Sequence, residues 1–139
     1  MQTSQPNDGD LLEQVRQLYR NANASEVVTE RLLKATNGRT APIFVCYNGV
    51  AKCLLASFKI NPYTKLKLVK EGSGQMDTAV SLQSNDIELR ILRLSVEYSM
   101  PSFLGYSKHV QQDKEFLQQN YDPEHPLRDV IDHFLKLLS

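Results

Sequence analysis

The chain carries little net charge and no long apolar run, and both absences exclude classes of protein. Sixteen basic and sixteen acidic residues cancel, so no global field gathers nucleic acid or an anionic bilayer, and we expect no nucleic-acid partner. The longest apolar stretch, residues 43–58, is interrupted by Asn48 and Lys52. This stretch is therefore predicted to be a core helix and not a transmembrane segment.

Cysteine is scarce, and the two that are present do not predict a disulfide. Cys46 and Cys53 are seven residues apart in a segment predicted to be helical, which places their Cα atoms about 10 Å apart. A disulfide requires less than about 7 Å. We predict two buried thiols, and their presence does not indicate the compartment in which the protein resides.

The first residues also lack a charged region followed by an apolar one, so no secretory signal is expected. Residues 1–9 are predicted to be a disordered or added segment that precedes one domain, residues 10–139. The location is predicted to be cytoplasmic for the sequence as given, and periplasmic or envelope if a signal sequence has been removed.

Motifs of known chemistry are missing as well. There is no phosphate-binding loop, and Gly72-Ser73-Gly74 lacks the five-residue pattern of a nucleophile elbow. His125 and His133 flank Asp129 without the spacing of a metal-binding helix, and His109 is isolated in the sequence. We therefore predict no enzyme, no cofactor and no metal site.

What is present is a spaced pattern of large and small residues that occurs in three helices. The copies begin 35 and then 44 residues apart, which is close to the period of a helix-turn-helix repeat. The first copy is degraded, because an arginine takes the place of its small residue, whereas the second and third copies are clear. The copies are Leu12-Val15-Arg16-Tyr19, Tyr47-Val50-Ala51-Leu54 and Ile91-Leu94-Ser95-Tyr98.

Helical periodicity and capping residues predict seven helices and no strand. The predicted helices run over about 10–22, 25–37, 40–58, 61 to at least 80, 85–100, 107–121 and 126–138. Ser25 is predicted to cap the second helix, Gly38 to end it, Asn61-Pro62 to begin the fourth, and Asn85 or Ser84 to cap the fifth. The third helix, apolar on nearly all sides, is expected at the centre, with the fifth between neighbours.

The fourth helix contains glycine at positions where helix propensity would favour other residues. Each glycine costs about 1 kcal/mol relative to alanine, which predicts a close approach of two helices or a kink near Gly72. Gly72, Met76 and Ala79 also fit the small-large-small spacing of the second helix in a tetratricopeptide repeat. The connection before this helix is about nine residues too long for a regular repeat, which predicts extended helices over residues 57–63.

These observations predict an all-α fold of about seven helices. Two arrangements stay open at this point: an irregular, tetratricopeptide-like right-handed superhelix, and an antiparallel helical bundle.

Three segments resemble a family of small, all-helical bacterial proteins of unassigned function. They are Asn61-Pro62-Tyr63-Thr64-Lys65-Leu66, Ile87-Glu88-Leu89-Arg90-Ile91-Leu92-Arg93-Leu94-Ser95 and Phe103-Leu104-Gly105-Tyr106. The resemblance covers about residues 47–117 and implies tetratricopeptide-like helices. It also favours an envelope location, and it implies no catalytic residues.

Arg90 and Arg93 are the most specific polar residues, because they share one face of an apolar helix. Glu97 is predicted to pair with Arg93 at a spacing of four residues. This arrangement fits a buried structural ion network, or a clamp for an anion or a carboxylate in a groove. The proposed companions of the clamp are Asn61, Tyr63, Lys65, Tyr98 and Tyr106.

The remaining charge pattern is a run of lysines, residues 52–70, which contains five lysines and no acidic residue. Together with the repeat, it leads to two hypotheses. The first is a non-catalytic helical-repeat module that binds a protein or peptide. The alternative is a binding module for a small anionic ligand or an anionic membrane surface, through Arg90, Arg93 and the lysine run.

Overall fold

A computed structural model describes residues 7–139, and every regular element in this range is helical. Residues 1–6 of the predicted N-terminal segment lie outside the described residues. The seven α-helices are α1 Asp8–Ala22, α2 Glu26–Thr36, α3 Pro42–Ala56, α4 Pro62–Leu82, α5 Ile87–Tyr98, α6 Val110–Gln119 and α7 Arg128–Leu137. A 3-10 turn, Ser102–Leu104, lies between α5 and α6. The predicted all-α fold is therefore confirmed.

Side-chain caps set the start of most helices. Ser25 accepts a hydrogen bond from the backbone N–H of Val28, and Asn61 accepts bonds from the two N–H groups that follow Pro62. Gly38, just past the end of α2, has a φ of 77°, the left-handed conformation that its helix end requires. These three predicted signals are confirmed.

Two local predictions are wrong. The cap of α5 is Asp86, whose side chain accepts from the N–H of Leu89, and not Asn85 or Ser84. The helices do not extend through the connection as predicted, since α3 ends at Ala56, α4 begins at Pro62 and residues 57–61 are not helical. The length in excess of a regular repeat lies within α4 itself, which has 21 residues. α1 also begins two residues earlier than predicted, at Asp8.

The helices are arranged as consecutive pairs with the odd-numbered helices in contact. Each helix adjoins the next, and α1 adjoins α3, α3 adjoins α5, and α5 adjoins α7. Within residues 7–139, α2 does not adjoin α4, nor does α4 adjoin α6. The chain thus forms helix pairs stacked in sequence, with α3 and α5 in the middle.

The core is centred on α3 and α5, as their apolar sequences predict. Phe44, Tyr47 and Val50 of α3 are at most 2% exposed, and Leu89 and Leu92 of α5 are completely buried. Apolar burial of this kind is the main favourable term in folding. None of the described helices has both the length and the apolar character needed to cross a membrane.

A buried carboxylate ties three of the odd-numbered helices together. Glu88 of α5 is 4% exposed and accepts two bonds from Arg16 of α1, at 3.0 and 2.6 Å, and one from the Tyr47 hydroxyl of α3. Burial and, to a smaller extent, the charge of Glu88 raise the pKa of Tyr47. Its hydroxyl therefore stays protonated and donates a hydrogen bond to the carboxylate.

The helix pair α3 and α4 is in backbone contact at Gly49 and Gly72. A Cβ atom at Gly72 would lie 2.5 Å from the carbonyl oxygen of Gly49 and 2.6 Å from the Sγ of Cys53. The predicted close approach at Gly72 is confirmed. Its partner, Gly49, is not one of the residues that the repeat pattern singled out.

Both cysteines are free and buried, as predicted. Burial raises the pKa of Cys53 to about 12, and that of Cys46 is raised as well. Because the thiolate is the reactive form, we expect neither thiol to react with 5,5′-dithiobis(2-nitrobenzoate) at pH 8 in the native protein. Two thiols per chain should react in guanidinium chloride. Fast labelling of one thiol in the native protein would contradict this burial.

Candidate functional site

The main concave feature is a groove formed by two adjoining cavities. Four residues line both of them: Leu54 and Ser57 at the end of α3, and Val96 and Ser99 at the end of α5. One cavity, of about 410 Å³, continues toward the start of α4. The other, of about 610 Å³, continues toward α1 and α7. We call them the apolar end and the polar end of the groove.

The apolar end lies between the start of α4 and the segment that follows α5. Asn61 and Pro62 start α4 in a direction that places Leu66 and Val69, three residues apart, on the wall of the groove. The opposite wall is made by Met100, Pro101 and Leu104. Gly105, with a φ of 78°, ends the 3-10 turn that carries Leu104.

Leu66, which lines this end, is exposed to solvent, and so are three large apolar residues close in sequence to lining residues. Ile60 is 96% exposed, Tyr63 86%, Phe103 85% and Leu66 51%. Single exposed apolar residues are common, but a concentration next to an apolar cavity is typical of a binding surface.

Lysine provides the charge at the apolar end. Lys65 lines the cavity, and among the described residues it forms no ion pair. Lys67 and Lys70 lie on the following turns of α4 and also form none in this part of the chain. Lys59 binds Glu26 at 3.3 Å, and Lys52 donates to Gln75, so two of the five predicted lysines are already engaged.

The polar end of the groove joins α1, α5 and α7. Tyr19 of α1 donates to the hydroxyl of Ser95 at 2.8 Å, and burial raises the pKa of Tyr19 to about 12. Arg20 forms an ion pair with Asp129 and lowers the pKa of that carboxyl. His133 completes this end and packs edge-on against Phe134.

The two arginines singled out in the sequence do lie together, but away from the groove and in an ion cluster. Asp113 of α6, which is completely buried, accepts two bonds from Arg93, each at 2.8 Å, and one from Arg90 at 3.1 Å. Arg90 also donates to the carbonyl oxygen of Ser84. Arg90 and Arg93 are 8% and 4% exposed.

The predicted pairing of Arg93 with Glu97 is wrong. The acidic partners of Arg93 are Asp113 and, at 3.2 Å, Asp77 of α4. Glu97, 2% exposed, instead accepts the backbone N–H of His109 and binds its Nδ1, both at 2.8 Å. A spacing of four residues brings two side chains to one helix face, but α6 offers Arg93 a bidentate carboxylate in a dry site.

His109, isolated in the sequence, therefore has partners in the structure. Its Nδ1 lies 2.8 Å from Glu97 and 3.6 Å from Asp77. No sequence spacing could indicate this cluster, because its members come from α4, α5 and the residue before α6.

The five companion residues do not surround the arginines. Lys65 lines the groove, and Asn61 caps α4 with its side chain. Tyr63 is exposed, while Tyr98 packs edge-on against Phe134, with ring centroids 5.5 Å apart. Tyr106 is half-buried in the segment before α6.

Comparisons with known proteins identify no relative. No family model, no curated protein and no solved structure matches this chain.

Proposed function

We propose that the chain is a non-catalytic helical interaction module that binds a peptide segment of a protein partner in the groove. The observation that carries this proposal is the apolar end, a cavity of about 410 Å³ that is lined by the half-exposed Leu66. Three more exposed apolar residues, Ile60, Tyr63 and Phe103, lie one or two positions along the chain from residues that line it.

The stacking of the helices supports a tetratricopeptide-like arrangement. In such repeats, the first helices of successive pairs stack and create a concave surface for partners. Here α1, α3 and α5 stack in this order, and residues of these helices and of α7 line the polar end of the groove. The groove thus has the position that a repeat module would use.

Charge complementarity defines the chemistry of the proposed partner. Apolar side chains of the peptide enter between Leu66 and Leu104, and Lys65 at the rim favours an acidic residue beside them. The partner is therefore an amphipathic segment with apolar anchors and at least one Asp or Glu.

A peptide library displayed on phage tests this proposal. We expect selected peptides of about 15 residues to combine aromatic or aliphatic anchors with acidic residues. Leu66→Glu should weaken their binding at least about tenfold, which is about 1.4 kcal/mol. Leu82→Glu is the matched control, because Leu82 is an exposed leucine at the other end of α4, 67% accessible. The proposal would be contradicted if both variants lost peptide affinity equally, or if the library yielded no enriched peptides.

Salt separates this proposal from the alternative. Binding through apolar anchors should persist at about 0.5 M salt, where exposed charges are strongly screened. The alternative, an anionic ligand or membrane surface, is favoured by Lys65, Lys67 and Lys70. It predicts binding to vesicles that contain phosphatidylserine, lost at the same salt concentration.

A further inference from the structure

A cluster of three metal-ligating side chains lies outside the groove. Asp77, Glu97 and His109 each offer one donor atom, and these donors all lie within 4.8 Å of one another. They belong to α4, to α5 and to the residue that precedes α6, so three separate elements converge there.

The charges around the cluster are not balanced. Three carboxylates, those of Asp77, Glu97 and Asp113, lie beside only two guanidinium groups, those of Arg90 and Arg93. Asp113 accepts hydrogen bonds from both guanidinium groups. The surplus carboxylate charge is therefore at Asp77 and Glu97, of which Glu97 is 2% exposed. An unbalanced buried charge is costly, and a proton or a metal cation can neutralise it.

We propose that Asp77, Glu97 and His109 form a binding site for a divalent cation, with Zn²⁺ as the ion that fits best. Imidazole nitrogen together with carboxylate oxygen is a donor set that Zn²⁺ accepts, whereas Mg²⁺ and Ca²⁺ prefer oxygen alone. This proposal is independent of peptide binding in the groove.

The three donors lie within 4.8 Å of one another, so the longest separation must shorten for a tetrahedral site. Donors at about 2.0–2.2 Å from a tetrahedral ion lie about 3.4 Å from one another. The 3.6 Å between Nδ1 of His109 and Oδ1 of Asp77 meets this spacing, and the 2.8 Å to Glu97 must widen by about half an ångström. The backbone N–H of His109 holds Oε1 of Glu97, which leaves Oε2 for the ion.

Arg93 is the group that competes with a cation, because its Nη1 lies 3.2 Å from Oδ1 of Asp77. Two further bonds hold its guanidinium on Asp113, so it is shared between the two aspartates. Among the described hydrogen bonds none uses Oδ2 of Asp77. A rotation of this carboxylate would give Oδ2 to the ion and leave Oδ1 to Arg93. The site would have three protein ligands and a fourth position open to water.

Calorimetric titration of the full chain with ZnCl₂ at pH 7.5 tests the site. We expect one Zn²⁺ per chain, and with Co²⁺ the visible absorption bands of a tetrahedral ion. His109→Ala should abolish both signals. His133→Ala is the matched control, since His133 is an exposed histidine on α7, and it should bind as the native protein does.

Proton competition gives a second measurement. Zn²⁺ competes with protons for imidazole and carboxylate ligands, so binding should release protons and should weaken when the pH is lowered from 7.5 to 5.5. The charged groups within 4 Å of Nδ1 of His109 are Glu97 of α5 and Asp77 of α4.

Three outcomes would overturn the proposal: no heat and no cobalt bands, binding that His109→Ala leaves intact, or binding that His133→Ala removes. If His109→Ala does not fold, Asp77→Asn decides, because Asp77 is half-exposed and its amide keeps the side-chain shape. We expect Asp77→Asn to weaken Zn²⁺ at least about tenfold, and unchanged affinity would equally overturn the site.

Discussion

Replacing Arg93 with alanine is expected to lower the free energy of unfolding by about 3 to 5 kcal/mol, the cost of breaking a buried ion pair. Arg93 is 4% exposed and donates two bonds to Asp113, a carboxylate with no solvent contact. Without the guanidinium, Arg90 retains one bond to Asp113, so the lower part of this range is expected. Urea unfolding followed by circular dichroism measures the loss.

Arg39→Ala is the control for this prediction. Arg39 pairs with Asp8 at 3.1 Å on the surface, where the Asp8 side chain is 77% accessible, and such pairs contribute about 0–1 kcal/mol. An unchanged or higher melting temperature for Arg93→Ala would contradict the structural role of the arginine. It would support instead the clamp for an anionic ligand.

Replacing Gly72 with alanine is expected to destabilise the protein by about 3 kcal/mol, the upper part of the usual range for overpacking. The new methyl group would lie 2.5 Å from the Gly49 carbonyl oxygen, and backbone atoms cannot move away as a flexible side chain can. The helices α3 and α4 would have to separate.

Gly74→Ala provides an internal comparison on the same helix. A Cβ atom at Gly74 meets no atom within 4 Å, and the position is exposed, so alanine should stabilise α4 by about 0.5–1 kcal/mol through helix propensity. Thermal unfolding of the two variants measures both effects. Similar melting temperatures for Gly72→Ala and Gly74→Ala would refute the close contact.

Local signals predicted the helices well, because a helix end depends on a few neighbouring residues. Ser25, Gly38 and Asn61 act as their types and positions indicate. The cap of α5 was predicted wrongly, since Ser84, Asn85 and Asp86 are all good capping residues in succession. Only the backbone conformation at the end of the connection selects Asp86.

Tertiary partners could not be predicted in this way. The pairing of Arg93 with Asp113 joins residues 20 apart in sequence, and neither carries a pattern that specifies the other. The apolar helix around Arg90 and Arg93 was compatible with a buried ion network and with a ligand clamp, and the identity of their carboxylate depended on how α6 docks.

The groove was only partly predictable for a related reason. Lys65 was a candidate, but Leu54, Val96 and Leu104 read as ordinary apolar positions in the sequence. Whether an apolar side chain packs in a core or lines an open cavity depends on whether another helix covers it. Periodicity gives the face of a helix and not what lies opposite that face.

The burial of Asp113 has a consequence for how α6 finds its position. Asp113 and Leu117 are the two buried residues of α6, and one leucine could pack against α5 at several alignments. A slip of one turn would remove the carboxylate from Arg90 and Arg93 and leave buried charges unpaired, at a cost of several kcal/mol. We infer that the ion cluster fixes the register of α6 along α5 and excludes alignments that apolar contact alone would tolerate.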